Sequence, residues 1–289
     1  MTLERELEVA TELAVRASRL ILDVYAKDFT VAYKGPRDPV TDADAQANAL
    51  IVAGLREAFP GDGVIAEESP DRSDALRAGR CWYVDPLDGT KEFIAKNGEF
   101  AVMIGLTRDG ASILGVVLQP AKDKLYTGFV DAGEASASLT RGVLAGSPAR
   151  EALRVSETAA TASLRMVASR SHRDAATGHF AETLGITQER PHGSVGLKVG
   201  LIAEREADVY VHPSNRASAW DACAPEAILR GAGGRFTRMD GKPFRYGGST
   251  DMANHGGILA CNAAAYDAVL PAAQAAAAMA GLPTDGEGA

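Results

Sequence analysis

The sequence predicts a mixed α/β protein organised in two halves, and three features of its 289 residues indicate this class. Apolar residues recur at helical spacing through most of residues 3–59. Short apolar runs bounded by turn residues follow, up to residue 119. After residue 145, strand-like and helix-like segments alternate again, which is typical of a layered α/β unit.

In the first half, two helices precede a group of strands. The first helix covers residues 3–25, and the second covers residues 43–59, where Pro60 stops it. Asp109-Gly110 predicts a tight hairpin between two of the strands that follow. The predicted strands are residues 63–66, 81–84, 100–106 and 112–119.

A stretch of small residues at 142–153 marks the passage to the second half. We therefore predict one unit at residues 1–145 and another at residues 146–280. The tail, residues 281–289, has no apolar face to bury and is predicted to be disordered. The elements predicted in the second half are strands at 164–169 and 207–212, a helix at 224–233, a hairpin around Asp240-Gly241 and a helix through 271–280.

Composition excludes several classes of function. The net charge of −8 provides no basic surface for a polyanion, so nucleic acid is not an expected partner. Three scattered cysteines fit a reducing cytoplasm and form no C-x-x-C metal site. The acid-interrupted N-terminus resembles neither a signal peptide nor a transmembrane segment. The sequence leaves open whether the protein is a monomer or a homodimer.

Residues 85–93, DPLDGTKEF, form the most informative motif and directly follow a buried strand. Asp85, the Leu87 carbonyl and Asp88 can converge as the oxygen ligands that Mg²⁺ prefers. The amides of Gly89 and Thr90 would then start a helix and hold a phosphate. The alternative is a turn with solvated acids, which a lone Asp-Gly would favour but the full motif does not.

Three further acids fit the same site, although each alone is more simply structural. Glu67, beside Glu68, follows the strand at residues 63–66 and could face the same cleft. Asp44 lies three residues after Thr41, which is the spacing of a helix-capping arrangement. Asp221 precedes a predicted helix and could cap it.

Four motifs occur together in the order of a known family. They are PVTDAD (39–44), IAEES (65–69), DPLDGT (85–90) and WDACAPE (220–226). In this order they resemble the lithium-sensitive, Mg²⁺-dependent phosphatases that include inositol monophosphatases. The resemblance implies an α-β-α-β-α layered fold and two or three Mg²⁺ ions per active site. The residues that it implies as ligands are Glu67, Asp85, the Leu87 carbonyl, Asp88 and Asp221, with Asp44 and Thr90 activating the attacking water.

Lys91 and Glu92 in DGTKEF resemble the 3′(2′),5′-bisphosphate nucleotidases within that superfamily. This closer resemblance implies that Ser171, His172 and Lys198 hold the nucleotide, including its 5′-phosphate. The alternative for these three is an exposed turn and a solvated lysine.

Together these features predict an Mg²⁺-dependent phosphomonoesterase for a small phosphorylated molecule. The predicted substrate is adenosine 3′,5′-bisphosphate, or its sulfated derivative, and the predicted products are AMP and phosphate. An inositol or sugar phosphatase would use the same metal site and differ only in the pocket. A non-catalytic nucleotide-binding regulator is the alternative from another class, and the intact set of acids argues against it.

Overall fold

The computed structural model describes residues 3–35, 38–69, 78–247 and 251–283. Helices and two larger sheets alternate in space. In chain order the helices are α1 (Glu4–Tyr25), α2 (Asp42–Ala58), α3 (Thr90–Ile94), α4 (Ala175–Leu184), α5 (Val195–Ala203), α6 (Ala219–Gly231) and α7 (Tyr266–Met279). Within the described residues, no helix is both long and apolar enough to cross a membrane.

The first large sheet has seven strands, which lie side by side in chain order from β3 to β9. Its first pair is parallel and the other neighbours are antiparallel. A separate two-stranded ribbon of β1 and β2 precedes it. The strands are β1 (Val31–Gly35), β2 (Asp38–Thr41), β3 (Gly63–Ala66), β4 (Arg80–Asp88), β5 (Ala101–Arg108), β6 (Ala111–Gln119), β7 (Lys124–Asp131), β8 (Glu134–Arg141) and β9 (Ala149–Ala152).

The second large sheet has five strands in the order β11-β10-β12-β14-β13. The pairs that involve β10 are parallel, and those that involve β14 are antiparallel. The strands are β10 (Arg165–Ser169), β11 (Gln188–His192), β12 (Val209–His212), β13 (Arg235–Thr237) and β14 (Ile258–Cys261).

Helices cover both faces of each sheet, which produces five layers. Helices α1 and α2 pack on the outer face of the seven-stranded sheet, and their apolar faces fill one core. Helices α5 and α6 lie between the two sheets. Helices α4 and α7 pack together outside the five-stranded sheet over another core. The predicted α-β-α-β-α arrangement is therefore confirmed.

A row of glycines lets α6 approach the seven-stranded sheet closely. Gly105, Gly115 and Gly128 are cross-strand neighbours on β5, β6 and β7. A Cβ atom on Gly105 would lie 2.6 Å from Cys223 Sγ, and one on Gly128 would lie 2.6 Å from the Cα of Ile228. The missing side chains therefore form the groove that the backbone of α6 occupies.

Most of the predicted elements of the first half are present. The two long helices and the four strands appear within a few residues of their predicted limits. The hairpin at Asp109-Gly110 is confirmed, since both residues have positive φ and join β5 to β6. The hairpin of β7 and β8 was not predicted, because the alternation of small and polar residues in β8 is a weak strand signal. The seven-stranded sheet extends to Ala152, and the division at residue 145 stays a prediction.

Two predictions for the second half need correction. The predicted turn at Asp240-Gly241 is present, since the Arg238 amide donates to the Lys242 carbonyl at 2.9 Å, but residues 242–247 form no second strand, and β13 pairs with the distant β14. The predicted disorder is wrong at the start of the tail, since Leu282 is buried in the core under α7. Gly281 adopts a left-handed conformation, and the Leu282 amide donates to the Ala277 carbonyl at 2.9 Å, which closes a Schellman motif. Residues 284–289 lie outside the described part of the chain.

The glycine row generates a stability prediction. In Gly115→Ala the added methyl group would overlap the carbonyl oxygen of Ala224, so α6 must shift. We expect the free energy of unfolding in urea to fall by about 1–3 kcal/mol, the usual cost of overpacking. Gly61→Ala is the matched control, because a Cβ atom at Gly61 meets nothing within 4 Å. Equal stability of the two variants would contradict the close-packing account.

Candidate metal and phosphate site

A bulge in β4 places two acids of the DPLDGT motif on one face of the sheet. Asp85 pairs with Met103 on β5, and Asp88 pairs with Ala101. An advance of three residues along β4 therefore matches an advance of two residues along β5, which means that β4 contains one extra residue. Without the extra residue, Asp85 and Asp88 would point to opposite faces, because strand side chains alternate. The predicted strand at 81–84 thus continues to Asp88, and Pro86, which has no N–H to donate, fits in the bulge.

The third acid, Asp221, arrives on α6 from the other half of the chain. Single carboxylate oxygens of Asp85, Asp88 and Asp221 all lie within 4.8 Å of one another. The prediction that Asp221 is the N-cap residue of its helix needs correction. Ser218 is the N-cap, and Asp221 is the third residue of α6, where its carboxylate accepts the Ser218 amide at 2.6 Å.

Burial and mutual repulsion oppose ionisation of this cluster. Asp85 is 2% exposed, and its pKa lies well above the ordinary 3.8 because of burial and the negative charges of Glu67, Asp88 and Asp221. Burial likewise raises the pKa of Asp221, with the charge of Asp88 adding to it. Burial also raises the pKa of Asp88, although the positive charge of Lys198 opposes the shift. Such a group of acids favours a bound cation, and the cluster could hold a metal ion.

Glu67 lies beside this cluster. It follows β3 and its amide donates to the Val84 carbonyl at 3.1 Å, which fixes it next to β4. Glu67 is not one of the three acids whose oxygens converge, but its charge raises the pKa of both Asp85 and Asp221. It also lines the cavity above the cluster.

Asp44 and Thr90 form a hydrogen-bonded pair at the edge of the cluster. Asp44 caps α2 by accepting the amide and the hydroxyl of Thr41 at 2.8 and 2.6 Å, which confirms the predicted capping arrangement. Its other oxygen accepts the Thr90 hydroxyl at 3.2 Å. Burial, and to a lesser degree the charge of Glu68, raises the pKa of Asp44.

Gly89 makes the turn between these acids and α3. Its φ of 98° is in the left-handed region, and a Cβ atom there would lie 2.9 Å from the Glu99 carbonyl oxygen. The Leu87 carbonyl accepts the Thr90 hydroxyl at 3.4 Å, so it points toward the start of this short helix. The predicted start of a helix at Thr90 is confirmed.

Ser194, at the start of α5, contacts the cluster from the second half, and the charge of Lys198 acts on it. The Ser194 hydroxyl donates to Asp88 Oδ2 at 2.6 Å, and the same oxygen accepts the Gly196 amide at 3.1 Å. Lys198 is buried, donates to the Ser194 carbonyl at 2.8 Å and lies 5.0 Å from the centre of the Tyr210 ring. Ser194 was not singled out from the sequence, although its position as an N-cap residue is a recognisable local signal.

The predicted nucleotide-binding residues of the other loop contact α3. Ser171 donates to Glu92 Oε1 at 2.6 Å. Lys91 Nζ lies 2.9 Å from His172 Nε2, and since an ammonium group can only donate, the histidine accepts. Burial and the charge of Lys91 lower the pKa of His172. These contacts join the two halves along one side of the cavity.

A single open cavity of about 1360 Å³ contains most of these groups. Its walls include Asp88, Asp221, Thr90 and Lys198 as well as the loop that follows β12. The structure therefore brings the predicted metal-binding and nucleotide-binding residues to one site. Three predicted residues do not line the cavity themselves but lie close to residues that do: Asp44 and Leu87 accept the Thr90 hydroxyl, and Asp85 lies beside Asp88 and Asp221.

Comparison with known proteins agrees with this arrangement. A model of the inositol monophosphatase family matches residues 2–278. The 3′(2′),5′-bisphosphate nucleotidase CysQ of Escherichia coli O157:H7 is 36% identical over 255 residues, which are 86% of this chain and 97% of that protein. Histidinol-phosphatase of Mycobacterium tuberculosis is 33% identical over 254 residues, covering 86% of this chain and 93% of that protein. The structure of CysQ from Bacteroides thetaiotaomicron has a TM-score of 0.72 and 28% identity, covering 89% of this chain and 97% of its own.

The crowded acids generate a prediction about pH and stability without divalent ions. The folded-state pKa of Asp88 is raised, so its contribution to stability is complete below the ordinary 3.8 and is lost as pH rises through the folded value. In EDTA, we therefore expect the Tm of the wild type to fall relative to the Tm of Asp88→Asn as the pH rises from 4 to 8. Each kcal/mol of repulsion that the substitution removes corresponds to a Tm difference of about 2–4 °C.

The control for this experiment is Asp28→Asn, which removes an exposed acid from the loop between α1 and β1. Its Tm should follow that of the wild type at every pH. Parallel curves for the wild type and Asp88→Asn would show that the cluster carries no repulsion.

Proposed function

The chain belongs to the inositol monophosphatase family, and from this premise we propose that it is an Mg²⁺-dependent 3′(2′),5′-bisphosphate nucleotidase. It hydrolyses adenosine 3′,5′-bisphosphate, or its sulfated derivative, at the 3′-phosphate. The observation that carries the proposal is the convergence of Asp85, Asp88 and Asp221 beside a cavity whose walls also carry cationic side chains.

The acid cluster fits Mg²⁺ in its chemistry. Hard carboxylate oxygens, held close together and partly out of water, offer the ligands and the negative charge that this ion requires. The residues proposed to hold two or three ions are Glu67, Asp85, the Leu87 carbonyl, Asp88 and Asp221. When bound, Mg²⁺ would neutralise phosphoryl charge and make water more acidic.

Asp44 and Thr90 are proposed to prepare the attacking water. Thr90 donates its hydroxyl hydrogen to Asp44, so the lone pairs of its oxygen remain available to accept a hydrogen bond from water. Asp44, with its raised pKa, is suited to receive the proton that the water loses. The water oxygen then forms a bond to phosphorus, and the ester P–O bond breaks in line with it. The leaving 3′-oxygen keeps the electron pair of that bond and takes up a proton from solvent water.

The remaining groups are proposed to hold the substrate. The amides of Gly89 and Thr90, at the turn into α3, would bind oxygens of the phosphate that is cleaved. Lys198 lies next to Asp88 and would add a positive charge near a substrate phosphate. Ser171 and His172 also line the cavity and would contact the nucleotide there.

The substrate assignment generates the next prediction. With Mg²⁺ present, we expect the kcat/KM for adenosine 3′,5′-bisphosphate to be about tenfold or more above the values for inositol 1-phosphate, L-histidinol phosphate and fructose 1,6-bisphosphate. The reason is that these other substrates would leave polar groups of a nucleotide site without hydrogen-bond partners, which weakens their binding in the transition state. Initial rates of phosphate release measure this. Faster turnover of any of the other three would move the assignment to another phosphatase with the same metal site, and no turnover of any would favour a non-catalytic regulator.

The metal assignment has its own test. Asp88→Asn and Asp221→Asn keep an oxygen for the Ser194 and Ser218 hydrogen bonds but lose a charge. Because the metal is expected to supply several kcal/mol of transition-state stabilisation, kcat should fall about 100-fold or more in each. Asp267→Asn is the matched control and should retain full activity. Near-wild-type rates at limiting Mg²⁺ in both variants would contradict the proposed ligand set.

A further inference from the structure

Among the described residues, four lysine and arginine side chains line the cavity, and they differ in how many partners they already have within the protein. They are Lys91, Arg173, Lys198 and Arg216. If the proposed function is correct, one or more of them must receive the phosphate that is not cleaved, because an acidic protein needs a local cation there.

Three of the four have partners within the protein. Lys198 donates to the Ser194 carbonyl, and its charge acts first on Asp88. Arg173 forms a two-point ion pair with Glu189. Lys91 donates to His172. Each of the three therefore already donates within the protein, and the charges of Arg173 and Lys198 also act on carboxylates.

Arg216 differs from these three. It is exposed, and within the described residues its guanidinium group has neither a hydrogen-bond acceptor nor a carboxylate partner. Its positive charge nevertheless lowers the pKa of both His172 and His212, which line the same cavity. Burial lowers the pKa of His212 to about 4, so His212 itself is neutral at pH 7.

The backbone that carries Arg216 is held in place. Arg216 lies in the loop between β12 and α6, and its amide donates to Ser214 Oγ at 3.1 Å. The next residue, Ala217, accepts the Asn254 amide at 2.7 Å, and Ala219 donates to the Met252 carbonyl at 2.8 Å. The loop thus presents an unpaired guanidinium group from a fixed backbone, which limits the entropy lost when an anion binds.

We infer that Arg216 binds the second, non-cleaved phosphate of the substrate and thereby selects bisphosphates over monophosphates. This inference rests on the proposed function and adds a residue to it. A planar guanidinium group can offer two parallel N–H donors to phosphate oxygens, whereas the donors of a lysine ammonium group diverge and lack this geometry. Arg216 lies five positions before Asp221, so the loop and α6 connect the two phosphate-binding regions directly.

The test compares two substrates with the same scissile ester. In Arg216→Gln, KM for adenosine 3′,5′-bisphosphate should rise about 10- to 100-fold, the range for a lost charged hydrogen bond. KM for adenosine 3′-monophosphate, which lacks the second phosphate, should change by about twofold or less. Arg216→Lys should recover part of the loss. Arg173→Gln is the matched control, because its charge in the same cavity is already neutralised by Glu189.

The possible outcomes separate this inference from the proposed function. Equal effects on both substrates, or no effect on either, would overturn the role of Arg216 while leaving the nucleotidase assignment in place. Slow wild-type turnover of the bisphosphate would overturn the nucleotidase assignment. In that case the affinity of 5′-AMP relative to adenosine, measured by calorimetry, decides the inference. A preference for 5′-AMP that is lost in Arg216→Gln supports the phosphate contact, and an unchanged preference overturns it.

Discussion

The close contact between α6 and the glycine row of the seven-stranded sheet is the constraint on which the site depends. Helix α6 comes late in the chain, whereas β4 comes early, and Asp221 joins Asp85 and Asp88 only because the helix backbone lies directly on the sheet. Side chains at Gly105, Gly115 and Gly128 would hold the helix away. If α6 moved outward by even the width of a methyl group, Asp221 would move away from Asp85 and Asp88, whose oxygens now lie within 4.8 Å of its own. The convergence of the three acids, on which the proposed metal binding depends, therefore follows from packing between two layers.

The same carboxylates serve the fold and the proposed chemistry, which limits the cost of placing them together. Asp44 and Asp221 each occupy the third position of a helix and accept the backbone amide of its N-cap residue, so each satisfies a free donor at a helix end. Asp88 receives the Ser194 hydroxyl and the Gly196 amide, which begin α5. These hydrogen bonds favour the ionised acids and oppose the effect of burial. Ser194 has a φ of 58°, an unusual conformation for a non-glycine residue, at the point where this contact is made.

Polar contacts between the halves set the remaining walls of the cavity. Arg170 holds Glu99 through two hydrogen bonds of 2.8 and 2.7 Å, and Ser171 holds Glu92 nearby. At the far end of α5, Glu204 accepts hydrogen bonds from Lys124 and Tyr126 of β7 and from Arg141 of β8. Helix α5 is thus tied to the seven-stranded sheet at both ends.

By itself, the sequence determined the local elements and the residue types of the site. Helical spacing and the Asp109-Gly110 turn predicted α1, α2 and the β5-β6 hairpin, since short-range steric and solvation effects control such elements. Four motifs in order identified the family. Only the tertiary structure decided which acids converge, because the bulge in β4 and the docking of α6 depend on long-range packing that spacing does not encode. For the same reason β13 paired with β14, Lys198 lay beside Asp88, and Arg216 emerged as the cation without a partner in the described cavity wall.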